Sequence, residues 1–166
     1  MDFRKAFLAL SLLAGACAPQ PAARPAVEHL PPDPSAQAAA RAGGFRLPFS
    51  AGVRVGDVLY LSGQIGTRAD GTLPAGIEAQ SRQTMDNVGA VLARAGLGYR
   101  DVFRCLVMLD DMKDWPAFNR VYAGYFEEGR LPARSALGAD GLALGALVEV
   151  ECQAYAGRRP YEAVAK

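Results

Sequence analysis

The sequence predicts an α+β domain in which two helices cover one face of a mostly antiparallel sheet. Three observations support this fold class. Residues 147–155 alternate between apolar and polar side chains, as a half-buried strand does. Residues 76–95 place apolar side chains at helical spacing, and Gly96 follows as a stop signal. Gly56-Asp57 separates two short apolar runs, which is typical of a hairpin.

The first residues have the pattern of an export signal. Arg4 and Lys5 form a basic start, residues 6–16 are almost entirely apolar, and small residues lead to Cys17. The pattern resembles a bacterial lipoprotein signal, so residues 1–16 are expected to be removed and Cys17 to carry the lipid. Simple secretion with cleavage near Cys17 is the alternative. The apolar run is too short for a membrane span.

Residues 17–44 are predicted to be a tether between this signal and the domain. The stretch is rich in proline and alanine, a composition that buries too little apolar surface to fold by itself. Ala18, and not an aspartate, follows the cysteine, which in a two-membrane envelope favours the periplasmic side of the outer membrane. The domain itself is expected at residues 45–160.

The first half of the domain alternates strands and turns before its first helix. Residues 53–55 and 58–63 form the predicted hairpin, and Asp70-Gly71 marks a further turn. The amphipathic helix then occupies residues 76–95.

The second half adds a strand, a helix and a final strand. Residues 102–109 alternate, and the expected core face carries Phe103, Cys105, Val107 and Leu109. A helix is predicted over residues 115–128, where aromatic side chains form an apolar stripe. In the final strand one face carries Val148, Val150, Cys152 and Ala154, and the other carries Glu149, Glu151, Gln153 and Tyr155.

Charge and histidine content exclude several classes of function. The 166 residues carry a formal net charge of +1, with lysine and arginine scattered, so no basic surface for nucleic acid is predicted. The only histidine, His29, lies in the proline-rich stretch, which leaves no histidine-based metal site or Ser-His-Asp triad. We expect neither a metal nor a nucleic-acid partner.

Arg134 and the final strand carry the residues best suited to chemistry. Arg134 follows Pro132, which stiffens the chain, and the glycine-containing segment 138–145 can turn the chain back toward the last strand. The arginine would then face a glutamate. From the residues alone, the competing interpretation is a salt bridge on a solvated sheet face.

The sheet face away from the helices is expected to be too apolar for a monomer. It would carry Leu106, Met108, Leu147 and Tyr155 among its polar residues, so we predict an oligomer with sites between subunits. On the core face, Cys105 and Cys152 could form a cross-strand disulfide if their strands are neighbours, with buried free thiols as the alternative.

Four stretches together resemble the RidA (YjgF) family, with the same order and approximate spacing over residues 47–157. They are Val55-Gly56-Asp57 through Leu61-Ser62-Gly63-Gln64-Ile65, Ala79-Gln80-Ser81-Arg82-Gln83-Thr84-Met85-Asp86-Asn87-Val88, Leu131-Pro132-Ala133-Arg134-Ser135 and Val148-Glu149-Val150-Glu151. The resemblance implies a chorismate-mutase-like α+β fold, a homotrimer and sites in clefts between subunits.

The resemblance also implies an activity. Active family members hydrolyse reactive 2-imino or enamine acids, such as 2-aminoacrylate, to 2-oxo acids and ammonia, without a cofactor or metal. The alternative is a non-catalytic trimeric envelope lipoprotein that binds small carboxylates. A ribonuclease activity, sometimes attributed to the family, is disfavoured by the neutral charge and the export signal.

Individual residues follow from the same resemblance. Arg134 matches the arginine that holds the substrate carboxylate, and Glu151 matches the acid that activates the attacking water. Gly63 matches the position whose carbonyl contacts the substrate nitrogen, and Asn119 matches a helix residue near the cleft. Ser135, beside Arg134, is placed with the substrate-binding residues.

Two positions depart from the family pattern. Phe49 stands at a substrate-binding position where a tyrosine is frequent, which removes a hydroxyl. Ala136 replaces a frequent cysteine two residues after Arg134, so no thiol can assist. The segment between Arg134 and Glu151 is also slightly longer than the commonest family spacing.

Overall fold

A computed structural model describes residues 25–44 and 46–157, which form a seven-stranded sheet with helices on one face. The strands are β1 (Val27–Leu30), β2 (Gly52–Val55), β3 (Val58–Leu61), β4 (Gln64–Ile65), β5 (Val102–Leu109), β6 (Ala133–Gly138) and β7 (Val148–Tyr155). The helices are α1 (Pro34–Ala42), α2 (Ile77–Arg94) and α3 (Trp115–Ala123), with short 3-10 turns at Tyr99–Asp101, Met112–Asp114 and Ala143–Gly145. The expected signal segment 1–16 and Cys17 lie outside the described residues.

The sheet has the strand order β1-β2-β3-β7-β5-β6, and β4 continues along β7 beyond the end of β3. Every strand pair is antiparallel except β5 and β6, which are joined through α3 and run parallel. The predicted α+β class with a mostly antiparallel sheet is therefore confirmed.

The core lies between the sheet and α2 with α3. Along β7 the residues Val148, Val150, Cys152 and Ala154 are fully buried, while the residues between them are partly exposed, as the alternation predicts. Helix α2 covers them with Met85, Val88 and Leu92, which are also fully buried. The apolar spacing of the sequence thus identifies the covered face correctly.

Helix α2 ends at the glycine that the sequence marks as a stop. Gly96 has a φ of +73°, and the amide of Leu97 donates to the carbonyl of Leu92. This pattern is that of a Schellman cap, in which a left-handed glycine lets the chain satisfy carbonyls of the last turn.

Helix α3 is shorter than predicted, because it ends at Ala123 and not near residue 128. Gly124 caps it, and the amides of Gly124, Tyr125 and Phe126 donate to carbonyls three residues back, which tightens the chain into turns. The two aromatic residues after the cap still pack against the core. Their apolar spacing continues beyond the helix, which explains the overprediction.

Phe103 is not on the core face, contrary to prediction. Its side chain is 42% exposed, and Val102 is buried instead. The register between β5 and β7 shifts at this point, since Val102 faces Ala154 and Arg104 already faces Gln153. Phe103 is therefore the extra residue of a β-bulge, which a strict two-residue period cannot anticipate.

The segment expected to be a tether contains structure from residue 27 onward, so that part of the prediction is wrong. β1 pairs with β2 along its whole length, and α1 follows it. The Arg94 guanidinium of α2 donates to the carbonyl of Pro31, which ties the segment to the domain. A sheet edge supplies backbone partners that a proline-rich segment lacks by itself. No helix among the described residues is long and apolar enough to cross a bilayer.

Cys105 and Cys152 form a disulfide between β5 and β7. The two residues lie directly opposite each other in the register and are almost completely buried. The possibility raised from the sequence is confirmed, and the alternative of two buried free thiols is wrong.

Candidate active site

Arg134 extends from β6 over an aromatic surface on the helix side of the sheet. Its strand partner is Cys105, whose side chain is in the core, so Arg134 shares that face. The guanidinium carbon lies 4.6 Å from the ring centre of Tyr122, 5.2 Å from that of Trp115 and 5.8 Å from that of Phe118. Within residues 25–44 and 46–157 it has no ion-pair partner. Three rings therefore hold the cation while its hydrogen-bond donors remain available to an anion.

Two buried polar atoms lie on α3, the helix that carries the three rings beneath Arg134. The Oδ1 atom of Asn119 and the hydroxyl of Tyr122 are buried, and neither has a hydrogen-bond partner in the described part of the chain. Burial raises the pKa of Tyr122 to about 12, so the phenol stays neutral at ordinary pH. Buried polar atoms of this kind destabilise a fold unless a partner reaches them. A polar ligand bound at Arg134 would be a suitable partner.

Glu149 and Glu151 lie on the opposite face of the sheet, away from α2 and α3. Glu149 faces Met108 of β5 and Ile65 of β4, and Glu151 faces Leu106. Both glutamates are partly buried. A carboxylate pair thus occupies the open face with apolar neighbours.

The backbone around Gly63 breaks the regular ladder beside this pair. Tyr60 and Gln64 are four residues apart, whereas their partners on β7, Gln153 and Val150, are three apart. The extra residue makes a bulge between β3 and β4. A Cβ atom at Gly63 would lie 1.8 Å from the Oε1 atom of Glu149, so only glycine lets the carboxyl pack there.

The carbonyl of Gly63 is accessible to a donor side chain. The Nε2 atom of Gln64 donates to it at 3.2 Å and to the carbonyl of Ser62 at 2.9 Å. The carbonyl predicted to contact a substrate nitrogen is therefore already an acceptor for an amide N–H.

The environment of Glu149 changes the protonation of its carboxyl. Burial, and after it the negative charge of Glu151, raises the pKa of the Glu149 carboxyl. A carboxyl whose pKa is raised in this way is suited to act as a general acid.

Arg134 and Glu151 do not meet within one chain, contrary to the expectation that they lie on neighbouring extended segments. β5 separates their strands, and they also point to opposite faces, because Arg134 pairs with Cys105 whereas Glu151 pairs with Leu106. The reason is the parallel connection through α3, which places β6 beside β5. A single chain therefore carries two separate clusters, which we call the arginine half-site and the glutamate half-site.

The other predicted site residues divide between these half-sites and the loops. Ser135 is exposed on β6 and faces Leu106, so it lies on the open face in the same row as Glu151. Asn119 lies on α3 next to Phe118, one of the rings beneath Arg134, and Phe49 is 49% exposed in the loop before β2. The described residues contain no group of three or more histidine, cysteine, aspartate or glutamate side chains that could hold a metal.

Glu149 is the site residue that sequence reasoning did not single out. The alternation of β7 already places it on the same face as Glu151, but it does not show that Gly63 leaves room for its carboxyl. That contact depends on the bulge between β3 and β4, which has no clear signal in the sequence.

Comparison with known proteins gives the family of the chain. A family model described as endoribonuclease L-PSP matches residues 41–156. The chain belongs to the RidA (YjgF) family. A mouse relative named 2-iminobutanoate/2-iminopropanoate deaminase is 38% identical over 112 residues, which cover 66% of this chain and 82% of the relative.

Solved structures of RidA-family proteins have the same fold. RidA from the Antarctic bacterium Psychrobacter sp. PAMC 21119 matches with a TM-score of 0.63 at 34% identity, covering 66% of this chain and 89% of that one. E. coli TdcF, solved with bound serine, matches with a TM-score of 0.64 at 30% identity, covering 68% and 91%. The RidA-type fold inferred from the four sequence stretches is therefore confirmed.

Proposed function

We propose that this RidA-family protein hydrolyses reactive 2-imino and enamine acids to 2-oxo acids and ammonia. The observation that carries the proposal is Arg134, whose charge is held over three aromatic rings and has no acidic partner in the described chain. A small carboxylate would supply the missing counter-charge. The mouse relative is named for deamination of two such substrates, and TdcF was solved with an amino acid bound.

The site would be completed between subunits, since one chain keeps Arg134 and Glu151 on opposite faces. The open sheet face exposes large apolar side chains, which favours its burial in an oligomer. They are Val27, Val55, Tyr60, Leu137 and Tyr155, each at least 37% exposed. We propose a homotrimer in which the arginine half-site of one subunit meets the glutamate half-site of the next.

Each residue has a defined task in this mechanism. Arg134 binds the substrate carboxylate through its two-donor fork, and the Gly63 carbonyl accepts a hydrogen bond from the substrate N–H in place of the Gln64 amide. Glu151 accepts a proton from the attacking water, which adds to the electrophilic imine carbon. Positioning and one proton transfer are sufficient because the imine carbon is already reactive.

A non-catalytic carboxylate-binding protein is the second candidate. It is favoured by the same three rings around Arg134, since a guanidinium held in this way can bind an anion whether or not a reaction follows. The two candidates differ in what Glu151 does, because binding alone does not require it.

The test measures ammonia release from enzymatically generated imino acids and, separately, binding of the product 2-oxo acid. Arg134→Ala is expected to lose binding and turnover together, since a charge-assisted pair contributes on the order of 2–3 kcal/mol. Glu151→Gln is expected to keep 2-oxo acid binding while kcat falls by roughly 10²-fold, the usual scale of general-base assistance.

Arg130→Ala is the matched control. Arg130 lies four residues before Arg134, is exposed and forms an ion pair with Glu127. It should change neither measurement. A wild type that binds 2-oxo acids but releases no ammonia above the spontaneous rate would establish the binding protein instead. Unchanged turnover in both Arg134→Ala and Glu151→Gln would defeat both candidates.

We further propose that the protein is exported and anchored through a lipid on Cys17. The Cys105–Cys152 disulfide supports export, because such bonds persist in oxidising compartments and are rare in the cytosol. In its host, the wild type should fractionate with membranes and Cys17→Ser should not. Membrane fractionation of the Cys17→Ser variant would refute the anchor.

A further inference from the structure

We propose that a small cavity between the segments that follow α2 and α3 is a second ligand site, which takes a single-ring aromatic carboxylate. The cavity has a volume of about 140 Å³. It is lined by three aromatic rings and three charged side chains, namely Tyr99, Arg100, Tyr125, Phe126, Glu127 and Arg130. These residues are different from those of the arginine half-site and of the glutamate half-site.

Three aromatic rings form the apolar wall of the cavity. The ring centre of Tyr99 lies 5.2 Å from that of Tyr125 and 5.3 Å from that of Phe126, which it meets edge to face. Rings tilted against each other in this way present edges and faces on which a further ring can pack at similar spacing. Since a cavity of about 150 Å³ is sufficient for benzene, the space beside these rings suits one six-membered ring.

The two tyrosines are held in place by α2. The Tyr99 hydroxyl donates to the carbonyl of Met85, and the Tyr125 hydroxyl donates to the Asp86 carboxylate at 2.8 Å. Gly89 leaves room for the Tyr99 ring on the helix, since a Cβ atom at this glycine would lie only 3.2 Å from the ring. Burial raises the pKa of Tyr125 to about 12, so this phenol stays neutral and does not repel an anion. The wall is therefore formed before a ligand binds, which lowers the entropic cost of binding.

The rim of the cavity carries more positive than negative charge. Arg100 and Arg130 contribute two cations and Glu127 contributes one anion, and all three side chains are exposed. Arg130 forms an ion pair with Glu127 at 3.4 Å, so we assign the ligand carboxylate to Arg100. A guanidinium has several N–H donors, and it can bind a carboxylate through two of them in addition to contacts within the chain. The rim thus selects an anion, and the wall selects an aromatic ring.

The cavity and the arginine half-site are neighbours that share an aromatic contact but no cation. The ring centre of Phe126 lies 4.8 Å from that of Tyr122, whose ring centre lies 4.6 Å from the guanidinium carbon of Arg134. Arg134 also attracts carboxylates, so an aromatic acid has two places to bind. A test of the cavity therefore has to remove Arg134 first.

The experiment measures benzoate binding to the Arg134→Ala variant by isothermal titration calorimetry. This variant should still bind benzoate. Adding Arg100→Ala should weaken binding by about tenfold, the scale of one charge-assisted contact. The matched control adds Arg68→Ala instead, because Arg68 is an exposed arginine that hydrogen-bonds to Thr72 and does not line the cavity. It should bind benzoate as tightly as Arg134→Ala alone. Cyclohexanecarboxylate, which has the charge without the aromatic ring, should bind more weakly than benzoate.

An Arg134→Ala variant that does not bind benzoate would overturn the inference, as would equal affinities with and without Arg100. Equal affinities for benzoate and cyclohexanecarboxylate would also overturn it, because the wall would then not select a ring. A measurement on the wild type does not depend on how the variants fold: benzoate added in the presence of excess 2-oxo acid should shift the ring NMR signals of Tyr99 and Tyr125. Unchanged signals would place benzoate elsewhere. Each of these results leaves the proposed hydrolysis standing, because ammonia release is measured separately.

Discussion

The two faces of β7 have different tasks although they belong to the same eight residues. On the helix side, Val148, Val150 and Cys152 have no solvent exposure and hold the core together. On the other side, Glu149 and Glu151 keep carboxyls at a partly exposed surface. Because the side-chain period of a strand is two residues, β7 can stabilise the fold with one face and carry polar side chains on the other. A substitution on one face should therefore leave the other face intact.

The largest expected effect comes from the covered face, by removing the Cys105–Cys152 disulfide with alanine at both positions. The bond closes a loop with a sequence separation of 47, which corresponds to about 4 kcal/mol of stability in the chain-entropy description. Urea unfolding should show this loss. The wild type unfolded in excess reductant should match the double variant, and equal stability of the oxidised wild type and the double variant would show that the bond constrains nothing.

A smaller effect on stability is expected at one of two adjacent residues of β3, whose side chains point to different faces of the sheet. Leu59 is fully buried and Tyr60 is 45% exposed. Leu59→Ala should lower the free energy of unfolding by about 3 kcal/mol, the usual scale for a buried leucine. Tyr60→Ala should change the stability of the isolated subunit by within about 0.5 kcal/mol and weaken self-association instead. Sedimentation and urea unfolding measure the two quantities, and similar losses of stability in both variants would contradict the proposed division of the faces.

The smallest effect is expected at Glu149, on the open face of β7. The pKa of Glu149 is raised in the folded chain, so ionisation costs stability as the pH rises through that pKa. Glu149→Gln removes this cost. The variant should be more stable than the wild type at pH 7, by on the order of a few tenths of a kcal/mol after solvent screening. The difference should close as the pH falls below about 4.5, the ordinary glutamate value. A less stable variant at pH 7 would show that the carboxylate is favoured in place.

The sequence predicts the elements whose period is regular. The alternation in residues 147–155 gives the correct faces of β7, and the apolar spacing before Gly96 gives α2 nearly to the residue. These predictions succeed because burial on one face imposes the pattern directly. The assignment of Arg134 and Glu151 to a site comes only from a family resemblance, and their roles stay predictions.

The features that the sequence could not predict are set by the register between strands and by the connections that join them. A bulge at Phe103 moves a hydrophobic side chain outward without any change in composition. The parallel pairing of β6 with β5 places Arg134 and Glu151 on opposite faces, and no local pattern reports which strand becomes the neighbour. Residues 27–42 fold because the edge of β2 accepts them, a partner that their proline-rich composition does not reveal.

The disulfide determines what remains of the molecule after a single proteolytic cut. Residues 105 and 152 close a covalent ring that contains α3, β6 and the exposed stretch 127–131. A protease that cuts in this stretch opens the ring without releasing a fragment, so the nicked protein remains one covalent molecule. In a compartment rich in proteases, the part of the chain that carries Arg134 is therefore retained after a single cut, and its loss requires either a second cut or reduction of the bond.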